Sequence, residues 1–224
     1  MTIQGSKIGD EYQDALFSRS DDTDSTVCKE CMSVVSGASL GVVLSGPVGV
    51  GKTHWLVCLA REFEAARWGG VPLAEDGGEA IQLGRPWREL ASEFDGVDLS
   101  DAPAPTLTKA EIENSVDVRF WYVPELLSSL QTEVAEGILW TENKCKECDL
   151  LVLDDLGVER ETAYRLERLE GVIDYRYRNK LPMAVTTNCS MKELEERYGE
   201  RLTSRLLKQC VIVEMSGKDR RWGE

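Results

Sequence analysis

The residues with the clearest chemical potential form one glycine-rich segment, Gly46-Pro47-Val48-Gly49-Val50-Gly51-Lys52-Thr53. It fits the pattern G-x-x-x-x-G-K-[S/T], in which glycines allow successive backbone N–H groups to point at phosphate oxygens. The helix that follows adds the partial positive charge of its N-terminus. In this pattern Lys52 reaches the β- and γ-phosphates and the Thr53 hydroxyl ligates Mg²⁺. The sequence therefore predicts a binding site for ATP and Mg²⁺.

Two adjacent acids provide the second signal. The apolar run at 150–153 predicts a buried strand, and Asp154 and Asp155 follow at its end. The carboxyl ends of parallel strands border the ligand crevice, and we expect this strand beside the one that precedes the glycine-rich segment. Asp154 is predicted to hold Mg²⁺, and Asp155 to orient or polarise the attacking water. The alternative is a pair of solvated acids that open a turn before Gly157.

Further polar residues lie nearer the C-terminus. Asn188 ends another predicted strand, where its side chain can bond the γ-phosphate or the water, although Asn also simply favours turns. Arg201 and Arg205 are four residues apart and share one face of a predicted helix. Spacing alone favours a solvated basic face, or ion pairs with Glu196 and Glu200, over a role in phosphoryl transfer.

The elements that must position these residues alternate between strand and helix. Apolar and β-branched runs predict strands over 40–45, 118–123, 149–153, 183–187 and 211–214. Helical spacing predicts helices over 27–35, 52–68, 124–136, 162–178, 191–198 and 202–208. Short connections between alternating elements predict a three-layer α/β fold, with a parallel central sheet covered on both faces.

The charge of the chain is unevenly distributed. The formal net charge is −14, of which residues 1–36 carry −4 and residues 69–117 carry −8, whereas residues 157–209 carry +2. We therefore predict a polar extension over 1–36 and an ATP-binding domain over 37–224, interrupted by an acidic insertion at about 69–117. The near-neutral remainder permits contact with DNA without arguing for it.

Composition also bears on location and on metals. The sequence has no apolar run long enough for a membrane span and no signal peptide, so we expect a cytoplasmic protein with no membrane partner. Its seven cysteines include the pairs Cys28/Cys31 and Cys145/Cys148. Their separation of 113 residues is far from that of a zinc ribbon, which favours two unligated pairs. A zinc ion bridging the two pairs is the alternative.

Taken in order, the motifs resemble a known family. The sequence GPVGVGKTH is followed by LLVLDDLG, TTN, ERLTSRL and SGKDRR. This order resembles the AAA+ ATP-binding domain of bacterial and phage helicase loaders, the DnaC-like proteins, and that of the IstB-type transposition helpers. The resemblance covers residues 37–68 and 118–221. It implies an AAA+ fold without a helical lid domain, and only 19 residues follow Arg205, too few for such a lid.

The resemblance also implies roles for individual residues. Asn188 would sense the γ-phosphate, and Arg205 would be an arginine finger that reaches the ATP of a neighbouring subunit. Arg201 would support that interface, and His54 would pack beside the site rather than catalyse. A finger supplied by a neighbour implies a homo-oligomer that forms on ATP, with hydrolysis that is slow in the isolated protein. The family's partners are a replicative helicase and single-stranded DNA, and its task is DNA replication.

Three alternatives remain open. A transposition-helper ATPase shares the same motifs. A monomeric P-loop kinase would pass the phosphate to a small acceptor, which fits the paired acids and arginines less well. A switch that binds ATP and barely hydrolyses it is the third, because Asp155 is shorter than the glutamate many AAA+ proteins use.

Overall fold

The computed structural model describes residues 4–5, 8, 12, 15, 26–67, 116–135, 137–158 and 163–219. Apart from Val116 and Asp117, the predicted insertion at 69–117 lies outside the described residues. These residues form six strands: β1 (Gln4–Gly5), β2 (Gly41–Ser45), β3 (Val118–Tyr122), β4 (Leu150–Leu156), β5 (Met183–Thr187) and β6 (Val211–Glu214). The same residues form six helices: α1 (Thr26–Ser36), α2 (Lys52–Arg67), α3 (Val123–Ala135), α4 (Trp140–Glu147), α5 (Ala163–Asn179) and α6 (Met191–Gln209).

The strands form one sheet in the order β1-β3-β4-β5-β2-β6, and every neighbouring pair is parallel. This confirms the predicted α/β fold with a parallel central sheet. One expectation about neighbours is wrong, because β4 does not lie beside β2. Strand β5 pairs with both of them and separates the acidic strand from the glycine-rich segment.

Helices cover both faces of the sheet, and each face has its own apolar core. Helices α1 and α2 pack on one face, where Leu56, Leu59 and Phe63 are almost fully buried. Helices α3 to α6 pack on the other, around Leu127, Leu153 and Leu206. Because the central strands bury side chains on both faces, β2 and β4 contain continuous apolar runs, at 42–44 and 150–153, rather than alternating ones.

Helix α1 belongs to this core although it lies within the predicted polar extension. Its Cys31, Val34 and Val35 are buried against the α2 side of the sheet. Helix α4 was not predicted, because only Thr141, Glu142 and Cys145 of its eight residues are buried and no apolar stripe marks it.

The two predicted C-terminal helices are both present and meet at a kink, and together they are called α6 here. Helix α6 begins with a capping box, in which the Ser190 hydroxyl accepts from the Glu193 N–H and the Glu193 side chain accepts from the Ser190 N–H. At Gly199 the backbone leaves the helical region (φ 81°, ψ 161°), which accounts for the predicted break. Among the described residues, through position 219, no helix follows α6.

The two cysteine pairs lie on opposite faces of the sheet. Cys28 and Cys31 are in the α1–α2 core with Cys58, while Cys145 and Cys148 are in the other core with Cys210. All seven cysteines are free, and burial raises the pKa of the Cys148 thiol to about 11. A zinc ion bridging the two pairs is therefore excluded by the intervening sheet. No cluster of potential metal ligands of three or more His, Cys, Asp or Glu occurs within the described part of the chain.

A buried carboxyl on α2 makes stability depend on pH. Glu62 is 4% exposed, and burial raises the pKa of its carboxyl from 4.5 to about 7. The folded state thus binds this proton more tightly than the unfolded chain. The contribution of the protonated Glu62 carboxyl to the free energy of unfolding is complete below about pH 4.5 and is lost as the pH rises through about 7.

We predict that Glu62→Gln, which cannot ionise, raises the free energy of unfolding by about 3 kcal/mol at pH 8 and by less than about 1 kcal/mol at pH 5. Urea unfolding at the two pH values measures both effects. Glu195→Gln, at an exposed position of α6, is the control. Equal effects of Glu62→Gln at both pH values would contradict the assignment.

Candidate nucleotide-binding site

The glycine-rich loop connects β2 to α2 and depends on backbone conformations that favour glycine. Gly49 and Gly51 have φ values of 82° and 97°, in the left-handed region. The Gly46 N–H donates to the Thr187 carbonyl at 3.3 Å, which ties the start of the loop to the end of β5. The loop thus leaves the carboxyl edge of the sheet and enters the N-terminus of α2, the geometry that collects N–H groups around an anion.

The chain after β6 lies against this loop. The Met215 N–H donates to the Ser45 carbonyl at 2.7 Å. A Cβ at Gly46 would overlap the Met215 carbonyl, and one at Gly49 would overlap the Asp219 carboxylate. Packing against backbone therefore requires glycine at Gly46, whereas at Gly49 the Asp219 side chain can move aside and the left-handed φ favours glycine. Asp219 belongs to the segment SGKDRR, whose position along the chain does not predict this contact with the loop.

Lys52, the first residue of α2, is turned toward the loop. Its ammonium group donates to the carbonyls of Gly46 at 2.8 Å and Pro47 at 2.7 Å, and the residue is 6% exposed. The next residue, Thr53, points across the sheet edge to β4. Its hydroxyl donates to the Asp154 carboxylate, at 3.1 Å from Oδ1 and 3.2 Å from Oδ2.

The Thr53–Asp154 contact fits a divalent cation. Burial raises the pKa of the Asp154 carboxyl from 3.8 to about 6, against the lowering effect of hydrogen bonds from Thr186 and Thr53 and of the Lys52 charge. A buried carboxylate beside a hydroxyl oxygen is a hard-oxygen pair of the kind Mg²⁺ prefers. A bound cation would also favour the ionised form of Asp154, which burial disfavours.

Asp155 occupies an irregular position at the end of β4. The register of β4 with β5 shifts between Leu153 and Leu156, so that β4 contains one extra residue. Asp155 lies in this bulge with φ 59°, unusual for a residue with a side chain. The Asn188 amide donates to its carboxylate at 3.4 Å. The structure thus brings Asp155 and Asn188 together at the same edge as Thr53 and Asp154, as the sequence predicted.

Thr186 is a site residue that the sequence analysis missed. Its hydroxyl donates to the Asp154 carboxylate at 2.6 Å and accepts the Asp155 N–H at 2.8 Å, so one buried hydroxyl connects both acids. The motif TTN placed Thr186 at the end of a strand. Only the β4–β5 pairing, which spacing does not reveal, directs it at Asp154.

Arg201 and Arg205 lie on α6 and contact α5. Arg201 pairs with Glu170 at 3.0 Å, and Arg205 pairs with Glu170 at 3.2 Å and with Asp174 at 2.5 Å. Ion pairs were expected as one alternative, but with Glu196 and Glu200, and that choice of partners is wrong. Glu196 and Glu200 each lie five residues before one of these arginines, off the favourable spacing of four, and packing of α5 on α6 supplies nearer acids. His54 packs edge-on against the ring of Trp55, at 6.1 Å between ring centroids.

These features define a class of protein. A glycine-rich loop that ends in Lys52 and Thr53 faces an acid pair on β4. A further parallel strand, β5, lies between them, carries Thr186 and is followed by Asn188. This is the arrangement of a P-loop nucleotide-binding domain of the AAA+ type.

The comparisons with known proteins agree with this class and name the family. The chain belongs to the IstB-like ATP binding protein family, whose model matches residues 103–223, more than half of the chain. The matched segment begins after the glycine-rich loop and contains Asp154, Asp155, Asn188, Arg201 and Arg205. As a member of this family, the protein binds ATP.

Individual relatives are similar over shorter stretches. The chain is 34% identical over 64 residues to the replicative helicase loader DnaC of Escherichia coli (strain K12), covering 29% of this chain and 26% of that protein. It is 31% identical over 113 residues to the replicative helicase loader DnaI of Bacillus subtilis (strain 168), covering 45% and 35%. The chain thus matches about a quarter to a third of the length of these relatives.

The fold is similar to that of a solved helicase loader. The crystal structure of the DnaC helicase loader superposes with a TM-score of 0.62 at 19% identity, over 93% of this chain and 100% of that one. This likeness confirms the predicted AAA+ fold. Within the described residues, no helix is long and apolar enough to cross a membrane.

We predict that Thr186→Val lowers the rate of ATP hydrolysis on the order of 10²-fold, because loss of the hydroxyl lets both acids move. It also leaves the Asp155 N–H without its acceptor, at about 1–3 kcal/mol of stability. Thr187→Val, which removes a hydrogen bond of 2.7 Å to the Leu156 carbonyl, is the matched control.

Steady-state hydrolysis and urea unfolding of both variants test this role. Thr186→Ser, which keeps the hydroxyl, is expected to recover most of the rate. Equal losses of rate in Thr186→Val and Thr187→Val would contradict a special role for Thr186.

Proposed function

We propose that this protein is a Mg²⁺-dependent ATPase that hydrolyses ATP slowly alone and faster in a homo-oligomer, and that it loads a replicative helicase onto DNA. The observation that carries the ATPase is the contact between the Thr53 hydroxyl and the Asp154 carboxylate at 3.1 Å. It joins the predicted phosphate-binding loop to the predicted metal-binding acid. Helicase loading rests on similarity to proteins named as replicative helicase loaders.

The proposed chemistry follows from the position of each side chain. The loop N–H groups and Lys52 would bind the phosphates, and Thr53 and Asp154 would hold the cation. Mg²⁺ would neutralise charge that develops on the phosphate oxygens. Asp155, half-exposed at the mouth of the site, would accept a hydrogen bond from the attacking water. Asn188, within hydrogen-bonding distance of Asp155, would orient that water and the γ-phosphate.

The dependence on assembly follows from Arg205. In the single chain its guanidinium group is bound to Glu170 and Asp174 on α5. If the phosphoryl-transfer charge requires an arginine from a neighbour, an isolated subunit lacks that cation. Fingers of this kind contribute about 10³- to 10⁵-fold to rate. Arg201, on the same face of α6, would take part in the same subunit interface.

The partners follow from the relatives. A replicative helicase and single-stranded DNA are the proposed binding partners, in the cytoplasm. A transposition helper is the second candidate, because the matching family model is described as IstB-like. The two candidate functions differ in the partner enzyme on which the ATP-bound assembly acts, a helicase or a transposase. If adding this protein with ATP speeds DNA unwinding by a replicative helicase, that result would support helicase loading. If it instead speeds strand transfer by a transposase, that result would support the alternative.

We predict that Arg205→Ala lowers the assembly-stimulated ATPase rate on the order of 10³-fold while ATP binding changes less than about threefold. Lys52→Ala is expected to weaken binding itself, because it removes the phosphate-contacting ammonium group. Rates over a range of protein concentrations, with sedimentation in the presence of an ATP analogue, measure both. Arg178→Ala, an exposed arginine of α5, is the control.

The contrary results are distinct. A wild-type protein that stays monomeric with the analogue, and hydrolyses ATP at the same rate as Arg205→Ala, would contradict a finger supplied by a neighbour. Transfer of phosphate to a small acceptor by that monomer would favour a kinase. Binding without measurable hydrolysis in any assembly would favour a simple switch.

A further inference from the structure

Four side chains between α5 and α6 form an ion-pair ladder, made of Glu170 and Asp174 on α5 and Arg201 and Arg205 on α6. Glu170 contacts both arginines, at 3.0 Å and 3.2 Å, and Asp174 contacts Arg205 at 2.5 Å. Each pair of like charges is spaced four residues apart on its own helix, so both acids and both arginines face the neighbouring helix. Arg205 is the only one of the two arginines that contacts both carboxylates within this ladder.

The two arginines differ sharply in exposure. The Arg201 side chain is 70% exposed, whereas that of Arg205 is 14% exposed, close to the 12% of its partner Asp174. Two carboxylates thus contact the Arg205 guanidinium group and hold it near the helix surface, although Glu170 also pairs with Arg201 and Asp174 with Arg178. An arginine in this position offers little positive charge to a phosphate outside its own chain.

An open surface depression lies beside the ion-pair ladder and includes Arg205 in its lining. It has a volume of about 350 Å³ and is lined by Tyr177, Glu200, Arg201, Ser204, Arg205 and Lys208. The Arg205 side chain is part of its lining, so open space lies directly beside this residue.

We infer that Glu170 and Asp174 are positioning residues that hold Arg205 in a stored position within its own subunit. Release of Arg205 from both carboxylates is then a step in forming an active subunit interface. This inference rests on the proposed function, in which Arg205 acts on the nucleotide of a neighbouring subunit. It adds that the same chain opposes that action until the interface forms.

The expected size of the effect follows from ordinary ion pairs. Exposed pairs contribute amounts equivalent to a change of about one- to fivefold in an equilibrium constant. Arg205 makes two such contacts and is largely buried, so neutralising both acids should favour the active interface by about three- to tenfold. The effect should shrink at high salt, because screening weakens the ladder in the wild type.

A subunit-mixing experiment isolates this step. Donor subunits carry Lys52→Ala, so that they offer Arg205 but cannot use ATP, and acceptor subunits carry Arg205→Ala. With the acceptor held constant, the ATPase rate is measured as donor is added. Donors with and without Glu170→Gln and Asp174→Asn are compared at low and high salt.

We predict that the donor with both acids neutralised reaches half-maximal stimulation at about three- to tenfold lower concentration, with the same maximal rate. The same two substitutions placed on the acceptor should change nothing, because the acceptor has no Arg205 to release. Donors with Arg178→Gln, which removes the 2.5 Å contact of Arg178 with Asp174 and leaves Arg205 paired, are the matched control.

Other outcomes overturn the inference in different ways. An unchanged or higher half-maximal concentration, or a lower maximal rate, would show that the acids do not hold Arg205 back. Absence of stimulation by any donor, including the one with both acids intact, would reject the trans-acting Arg205 and with it the inference. Glu170→Gln alone, at the more exposed acid, should give a smaller shift in the same direction, and thermal unfolding of every variant verifies that it folds.

Discussion

The nucleotide site depends on the insertion of β5 between β2 and β4. This strand order separates the glycine-rich loop from the acid pair by the width of one strand, and Thr53 and Asp154 span that gap with a direct contact. The same strand ends in Thr186 and Asn188, whose side chains reach Asp154 and Asp155. The loop proposed to bind phosphate and the acids proposed to hold a cation thus share one edge, because three parallel strands end there together.

The features of this site that disfavour the folded state lie at Asp154 and Asp155. Asp154 is a buried carboxyl whose ionised form is disfavoured, and Asp155 is held at a positive φ in a bulge of β4. Both features disfavour the isolated fold, and such strain persists where surrounding structure fixes it. Here Thr186 does much of the fixing, since its one hydroxyl contacts the carboxylate of the first acid and the backbone of the second.

Sequence reasoning succeeded where a residue's neighbours along the chain determine its environment. The glycine-rich loop and the apolar strands have local signals, and they predicted the α/β sheet and the position of Lys52 and Thr53. Sequence reasoning failed where strand pairing or helix packing determines the environment of a residue. The separation of β4 from β2, the role of Thr186, the contact of Asp219 with Gly49 and the partners of Arg205 all arise between segments far apart in the chain. Helix α4 was not predicted from the sequence because its buried side chains are few and mostly polar.

The charge pattern acquires a more specific meaning in the structure. The slightly basic region 157–209 includes Arg201, Arg205 and Lys208, which line one depression on α6. Two of these cations pair with Glu170 and Asp174 of α5, acids that the net charge of the segment already counts. The surface between α5 and α6 is better described as a set of arginines held by acids than as a basic patch.

The central claim, that Thr53 and Asp154 together hold a divalent cation with the nucleotide, is tested most directly by electron paramagnetic resonance of Mn²⁺ as a substitute for Mg²⁺. Mn²⁺ is titrated into the protein with and without a non-hydrolysable ATP analogue. The account predicts tight Mn²⁺ binding only with the nucleotide, weakened on the order of 10-fold or more by Asp154→Asn and little changed by Glu62→Gln. Equal Mn²⁺ binding by the wild type and Asp154→Asn in the presence of nucleotide would contradict it.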